Sequence, residues 1–319
     1  MSTSPYAPLP TPHVHAPRKV GVEVEFSGMT EVEAARVATD TLGGTAREDG
    51  PHHVTVEGSS IGRLRFVLDT KFRDKAHDAI SKAGLDVARA VVPIELVTDP
   101  LTPDQMADLD RLVEALRKAG AKGTNEGALL GFGLHLNPEV RGLQCEDLVP
   151  TLTAYGLLED WIRQKNALNG TRQMLPFIDP YPPEFVDALV MRGGWSVELI
   201  LNTYLTHNAT RNHGLDALPI LATIDSGAVA KALGTDHSVA ARPAWHYRLP
   251  DARIGDEGWT PAGAWADWQR VETLADDGET MALLKNEWRK HRARIAPTRS
   301  GWAETVERIL SDEPTRTAA

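Results

Sequence analysis

Two glutamates stand two residues apart in the run Gly21-Val22-Glu23-Val24-Glu25-Phe26, inside an otherwise apolar segment. In a β-strand the side chains alternate faces, so Glu23 and Glu25 would share one face about 7 Å apart. Like charges so placed repel unless a cation lies between them, and hard carboxylate oxygens suit Mg²⁺ or Mn²⁺. A second run, Ile94-Glu95-Leu96-Val97-Thr98-Asp99-Pro100-Leu101, sets Glu95 in an apolar strand. A carboxylate there is costly to bury without a counter-charge or a metal. A third run, Gly131-Phe132-Gly133-Leu134-His135-Leu136-Asn137-Pro138, puts His135 and Asn137 on one face beside glycines. Imidazole can bind a metal or a phosphate, and the amide can bond a nucleotide. A fourth, His246-Tyr247-Arg248-Leu249-Pro250, aims Arg248 at an anion such as a phosphate or carboxylate. Each residue alone has an ordinary alternative: an exposed acidic edge, a salt-bridge partner, a structural histidine, a surface arginine.

The elements that must position these groups read as strands. Residues 20–28, 64–69, 93–98, 130–138 and 244–250 all alternate in the strand period of two. In each, one face is apolar (Val20, Val22, Val24 and Phe26 in the first) and the other carries ligand-type residues. Five such faces predict the walls of one polar cavity, with glycines leaving room for an approach to the backbone. Helices are predicted between them. Thr30 with Glu33 forms a capping box, and Gly43-Gly44 ends that helix. Thr102-Pro103-Asp104-Gln105 starts another, with the apolar stripe Met106, Leu109, Leu112, Val113 and Leu116, closed by Gly120. A further helix is expected over 148–168. The stretch from Trp259 onward reads as helical and tryptophan-rich, packing through Trp265, Trp268 and Leu274. With no Gly-rich strand–helix turn, the pattern favours an α+β fold with an antiparallel or mixed sheet over a doubly wound one.

Composition narrows the class. The chain has 319 residues, 42% hydrophobic and 24% charged, which supports a sizeable core and a globular protein. A net charge of −10 argues against a general nucleic-acid surface. No apolar run is long enough to span a membrane. Residues 1–18 are rich in Pro and His, lack an apolar h-region and read as a disordered leader. The single cysteine, Cys145, allows no internal disulfide and fits a reducing cytoplasm. P-loop and dinucleotide-binding glycine motifs, H-E-x-x-H, a cysteine zinc set and G-x-S-x-G are all absent.

Taken in order, G-x-E-x-E, E-L-V-x-x-P-L, G-x-H-x-N and x-Y-R-L resemble the amidoligase branch of the carboxylate–amine ligase superfamily. That superfamily includes glutamate–cysteine ligase and, more distantly, glutamine synthetase. The resemblance runs over about residues 20–250. It takes in Tyr204-Leu205-Thr206-His207-Asn208-Ala209-Thr210-Arg211-Asn212 and Leu215-Asp216-Ala217-Leu218-Pro219. It implies a glutamine-synthetase-like sheet and a catalytic domain over 19–250, with 251–319 packed on it as a helical extension. It also implies an ATP-dependent ligase that activates a carboxylate as an acyl phosphate for attack by an amine. Glu23, Glu25 and Glu95 would hold Mg²⁺ or Mn²⁺, His135 would touch a metal or the phosphates, and Asn137 would orient the nucleotide. Arg248 would neutralise the phosphoryl group, Arg172 and Arg211 are candidates for gripping the substrate carboxylate, and Asp69 would bind metal or deprotonate the amine. This sequence departs from the pattern where it carries His246 in place of the usual Glu, so that His246 is itself a candidate ligand, and in the unusual surroundings of Asp69. The substrates would be small molecules or peptides, and a homo-oligomer is compatible because related synthetases form rings. Two rivals use the same residues: a metal-dependent amide hydrolase, and a non-catalytic member of the fold that binds a metabolite or partner.

Overall fold

A computed structural model of the chain describes residues 4–10, 17–68, 93–124, 131–166, 178–234 and 239–312. Asp69 and Arg172 lie outside the described residues. The architecture is α+β, with an open antiparallel sheet of eight strands and ten helices among those residues. The strands are β1 (Val20–Phe26), β2 (Thr45–Gly50), β3 (His53–Ser59), β4 (Gly62–Leu68), β5 (Ile94–Thr98), β6 (Leu134–Pro138), β7 (Leu215–Asp216) and β8 (His246–Tyr247). Their spatial order is β2-β3-β4-β5-β1-β6-β8-β7, which places β1 between β5 and β6.

Register decides what each face carries. Phe66 pairs with Leu96, Leu96 with Val24 and Val24 with Leu134, while Val22 pairs with Leu136, Leu136 with Tyr247 and Tyr247 with Leu215. These rows form an apolar face that crosses six strands. Helices cover it. Near β3 and β4 lies α1 (Glu31–Leu42), backed by α2 (Pro103–Lys118). The predicted capping box of α1 is present: Glu33 N–H donates to Thr30 Oγ1 at 3.2 Å, and Thr30 N–H to Glu33 Oε2 at 2.8 Å. All five residues of the α2 stripe are buried.

At the other end α3 (Cys145–Lys165) is buried nearly all round, as a helix enclosed between layers must be. Tyr155 of α3 meets Tyr247 on the sheet with ring centroids 6.0 Å apart. Its other sides meet α4 (Pro183–Met191), α8 (Ala262–Asp276), α9 (Gly278–Arg292) and α10 (Arg299–Ser311). Short helices α5 (Val197–His207), α6 (Leu218–Ile224) and α7 (Ser226–Leu233) flank β7. Trp265, Trp268 and Leu274 of α8 are buried as expected, and Trp302 Nε1 of α10 donates to the Leu157 carbonyl at 2.9 Å. Within the stretch read as a leader, Tyr6 and Leu9 join the core. Trp265 and Gln269 donate to the Ala7 carbonyl, and Arg18 pairs with the buried Glu272 on α8. No helix among the described residues is long and apolar enough to cross a membrane.

Candidate functional site

The opposite face of the sheet carries the polar residues. Glu25 pairs with Glu95 across β1 and β5, Glu23 with His135 and Gly21 with Asn137 across β1 and β6, and His246 with Asp216 across β8 and β7. The odd-numbered faces of β1, β5 and β6 are thereby joined. Five of the residues singled out in the sequence, Glu23, Glu25, Glu95, His135 and His246, meet in one cluster. It divides into two groups, Glu23–His135–His246 and Glu25–Glu95–His135, each with its ligand atoms within 4.8 Å of one another.

The hydrogen bonds fix the carboxylates. Glu23 Oε2 lies 2.9 Å from His135 Nδ1, and Glu23 Oε1 accepts from Asn137 Nδ2 at 2.9 Å. Glu25 Oε2 accepts from the Gly133 N–H at 2.7 Å, and Glu25 Oε1 is 3.8 Å from His135 Nε2. His135 therefore presents one ring nitrogen to each glutamate of β1. The His135 and His246 rings meet edge to face with centroids 5.2 Å apart. Both rings are buried, and Glu23 and Glu25 are only slightly open.

Electrostatics follow from that burial. Desolvation alone would raise the Glu23 pKa, but the His135 hydrogen bond and the charges of His246 and His135 outweigh it and hold the carboxyl well below its usual range. Desolvation pushes the His246 pKa down to about 4, against the pull of Asp216 and Glu23. With His246 uncharged at neutral pH, the hydrogen bond from His135 is the main support of the Glu23 carboxylate.

Arg211 and Arg248 stand at the β7–β8 edge. Arg211 Nε donates to Asp216 Oδ2 at 3.0 Å, and Arg248 Nη1 donates to the Arg211 carbonyl. Burial works against the Arg248 charge while Asp216, Glu25 and Glu23 favour it, and the guanidinium stays protonated at neutral pH. Asp216 itself has no assigned role in the sequence reading, yet it is fully buried and its Oδ2 lies 3.6 Å from His246 Nδ1. Burial would raise its pKa, but His246, Arg211 and the Leu218 N–H together lower it. The sequence signal for Asp216 was its place in Leu215-Asp216-Ala217-Leu218-Pro219; a two-residue strand has no periodicity to mark a face.

A protein-family model described as "Putative amidoligase enzyme" matches residues 16–269. That range contains every member of the cluster. Among curated proteins and among solved structures nothing gives a significant match.

Proposed function

The chain belongs to the amidoligase family, and from that premise we propose that it is an ATP-dependent carboxylate–amine ligase working through an acyl phosphate. The observation that carries the reading is the juxtaposition of Glu23, Glu25 and Glu95 with His135 and His246 on one face of an antiparallel sheet. The donor set fits divalent cations, since carboxylate oxygens and imidazole nitrogens converge. Mg²⁺ or Mn²⁺ at these residues would neutralise phosphate charge during transfer.

The chain's own groups do the rest. A free carboxylate is a poor electrophile, and phosphorylation by ATP gives it a leaving group that an amine can displace. Such transfer depends on positioning and on charge neutralisation. Asn137 and His135 set the Glu23 oxygens. Arg248 and Arg211 lend positive charge beside the cluster, to the phosphoryl group and the substrate carboxylate respectively. Asp69 and Arg172 keep their roles in this proposal as metal ligand or base, and as a second carboxylate anchor. Kinship of the sheet with the glutamine-synthetase platform, small-molecule or peptide substrates and a cytoplasmic setting belong to the same proposal.

The test is calorimetric binding of ATP with Mg²⁺ to the wild type and to Glu23→Ala/Glu25→Ala. Binding that requires Mg²⁺ and disappears in the folded double variant supports the ligase, and phosphate release can then be screened across acid–amine pairs. A folded wild type that binds no ATP at millimolar concentration with either Mg²⁺ or Mn²⁺ overturns it. Amide cleavage without nucleotide would then identify the hydrolase.

A further inference from the structure

The cluster is not uniform in its donors. One group, Glu25–Glu95–His135, is rich in carboxylate; the other, Glu23–His135–His246, supplies two imidazoles and one carboxylate. A neutral imidazole has a single lone pair, so His135 can serve only one group at a time. Mg²⁺ prefers oxygen and gives up its water reluctantly, whereas imidazole suits zinc and its first-row neighbours. We infer that Glu23, His135 and His246 form a separate site for a nitrogen-preferring divalent transition ion of the Zn²⁺ or Co²⁺ class. Glu25 and Glu95 are then left as the oxygen-rich pair for the Mg²⁺ that accompanies phosphate.

One feature beyond the cluster itself points to a ligand. His246 is 6% exposed, and its Nε2 is buried with no hydrogen-bond partner among the described residues. That nitrogen lies 3.8 Å from Glu23 Oε2, too far for a hydrogen bond. His135 Nδ1 donates to the same oxygen at 2.9 Å, through a proton that an ion bound there would displace. Neighbouring ligands, each about 2.1 Å from one ion, must stand about 3.0–3.4 Å apart, and the two observed spacings bracket that range. Asp216 is placed to hold the ion-binding tautomer. His246 Nδ1 lies 3.3 Å from Arg211 Nη2, which can only donate to it, and 3.6 Å from Asp216 Oδ2, just beyond hydrogen-bond reach. An ion on Nε2 requires the other tautomer, with the proton moved to Nδ1 and directed to Asp216. Asp216, held in turn by Arg211 Nε at 3.0 Å and the Leu218 N–H at 2.9 Å, is the positioning residue for that tautomer.

This inference rests on the reading of the cluster as a metal site, but not on ATP. It is tested by titrating Co²⁺ into the tag-free full chain, stripped with chelator and without nucleotide, and following the visible d–d absorption. The expected result is one tight equivalent whose spectrum survives a roughly hundredfold excess of Mg²⁺. His246→Ala, and His246→Gln should the alanine variant unfold, lose that equivalent. Asp216→Asn weakens it by about 10–100-fold, while Glu95→Gln leaves the spectrum in place. Displacement of Co²⁺ by the Mg²⁺ excess, unchanged affinity in a folded His246 variant, or equal loss in Glu95→Gln would each overturn the inference. Failure here with intact Mg²⁺-dependent ATP binding leaves the ligase standing; success here without ATP binding removes the ligase and keeps the transition-ion site.

Discussion

At the scale of single residues, the site is a balance between burial and partners. Glu23 stays ionised because His135 and Asn137 occupy its two oxygens. His246 stays neutral because burial lowers its pKa to about 4 from an ordinary 6.5. That difference makes stability depend on pH in a definite direction. Between about pH 6.5 and 4 the unfolded chain takes up a proton at residue 246 that the folded chain refuses, so stability falls as the pH drops through that window and levels off below it. The full difference corresponds to a contribution on the order of 3 kcal/mol. Urea midpoints at pH 7 and pH 4.5, in chelator, should show this loss in the wild type. His246→Gln should remove most of that part of the pH dependence; an unchanged dependence would contradict the assignment.

At the scale of elements, β1 is the hinge of the design. It supplies two of the three glutamates and pairs on both edges, so a shift of one residue in its register would turn Glu23 and Glu25 into the core. The strand is pinned beyond its end. Ser27 and Lys122 exchange backbone hydrogen bonds of 3.0 and 2.8 Å, which tie β1 to the turn after α2. Gly28 follows with φ of 94°, and a Cβ there would stand 2.4 Å from the Gly120 carbonyl oxygen. Gly28→Ala is therefore expected to cost about 2 kcal/mol or more, from left-handed strain and the clash together. A denaturant titration that finds less than about 0.5 kcal/mol would show that the turn relaxes freely.

At the scale of the whole molecule, the tryptophan-rich helices complete the core behind the site. Trp268 packs its ring 5.6 Å from Tyr247, the apolar-face residue between His246 and Arg248, and its Nε1 donates to Glu272 at 2.7 Å. Glu272 in turn holds Arg18, whose other guanidinium contacts reach the Glu139 carbonyl just after β6. One side chain thus links α8, the first described residues before β1 and the end of β6. Trp268→Ala should cost about 3–5 kcal/mol through cavity formation. Because it removes the backing of β8, it should also weaken metal binding at His246. Thermal unfolding with and without Co²⁺ measures both effects, and a loss of stability with no change in the Co²⁺-induced shift would separate the core from the site.

Much of this was legible in the sequence because it is local. Period-two alternation assigned faces to β1, β4, β5 and β6, and so predicted that Glu23, Glu25, Glu95, His135 and Asn137 turn away from the core. Capping residues placed the starts of α1 and α2 for the same reason: the hydrogen bonds they make span three residues. The exposed strand β2 has no buried face and hence no alternation, and the Val54 and Val56 signal of β3 was present but short. What only the tertiary structure decided is which strands are neighbours. Pairing between segments distant in the chain leaves no local trace, so nothing in the sequence set β1 between β5 and β6, or brought Asp216 against His246. The division of the donors into an oxygen-rich and a nitrogen-rich group follows from that strand order: β1 and β6 serve both groups, while β5 adds Glu95 to one and β8 adds His246 to the other.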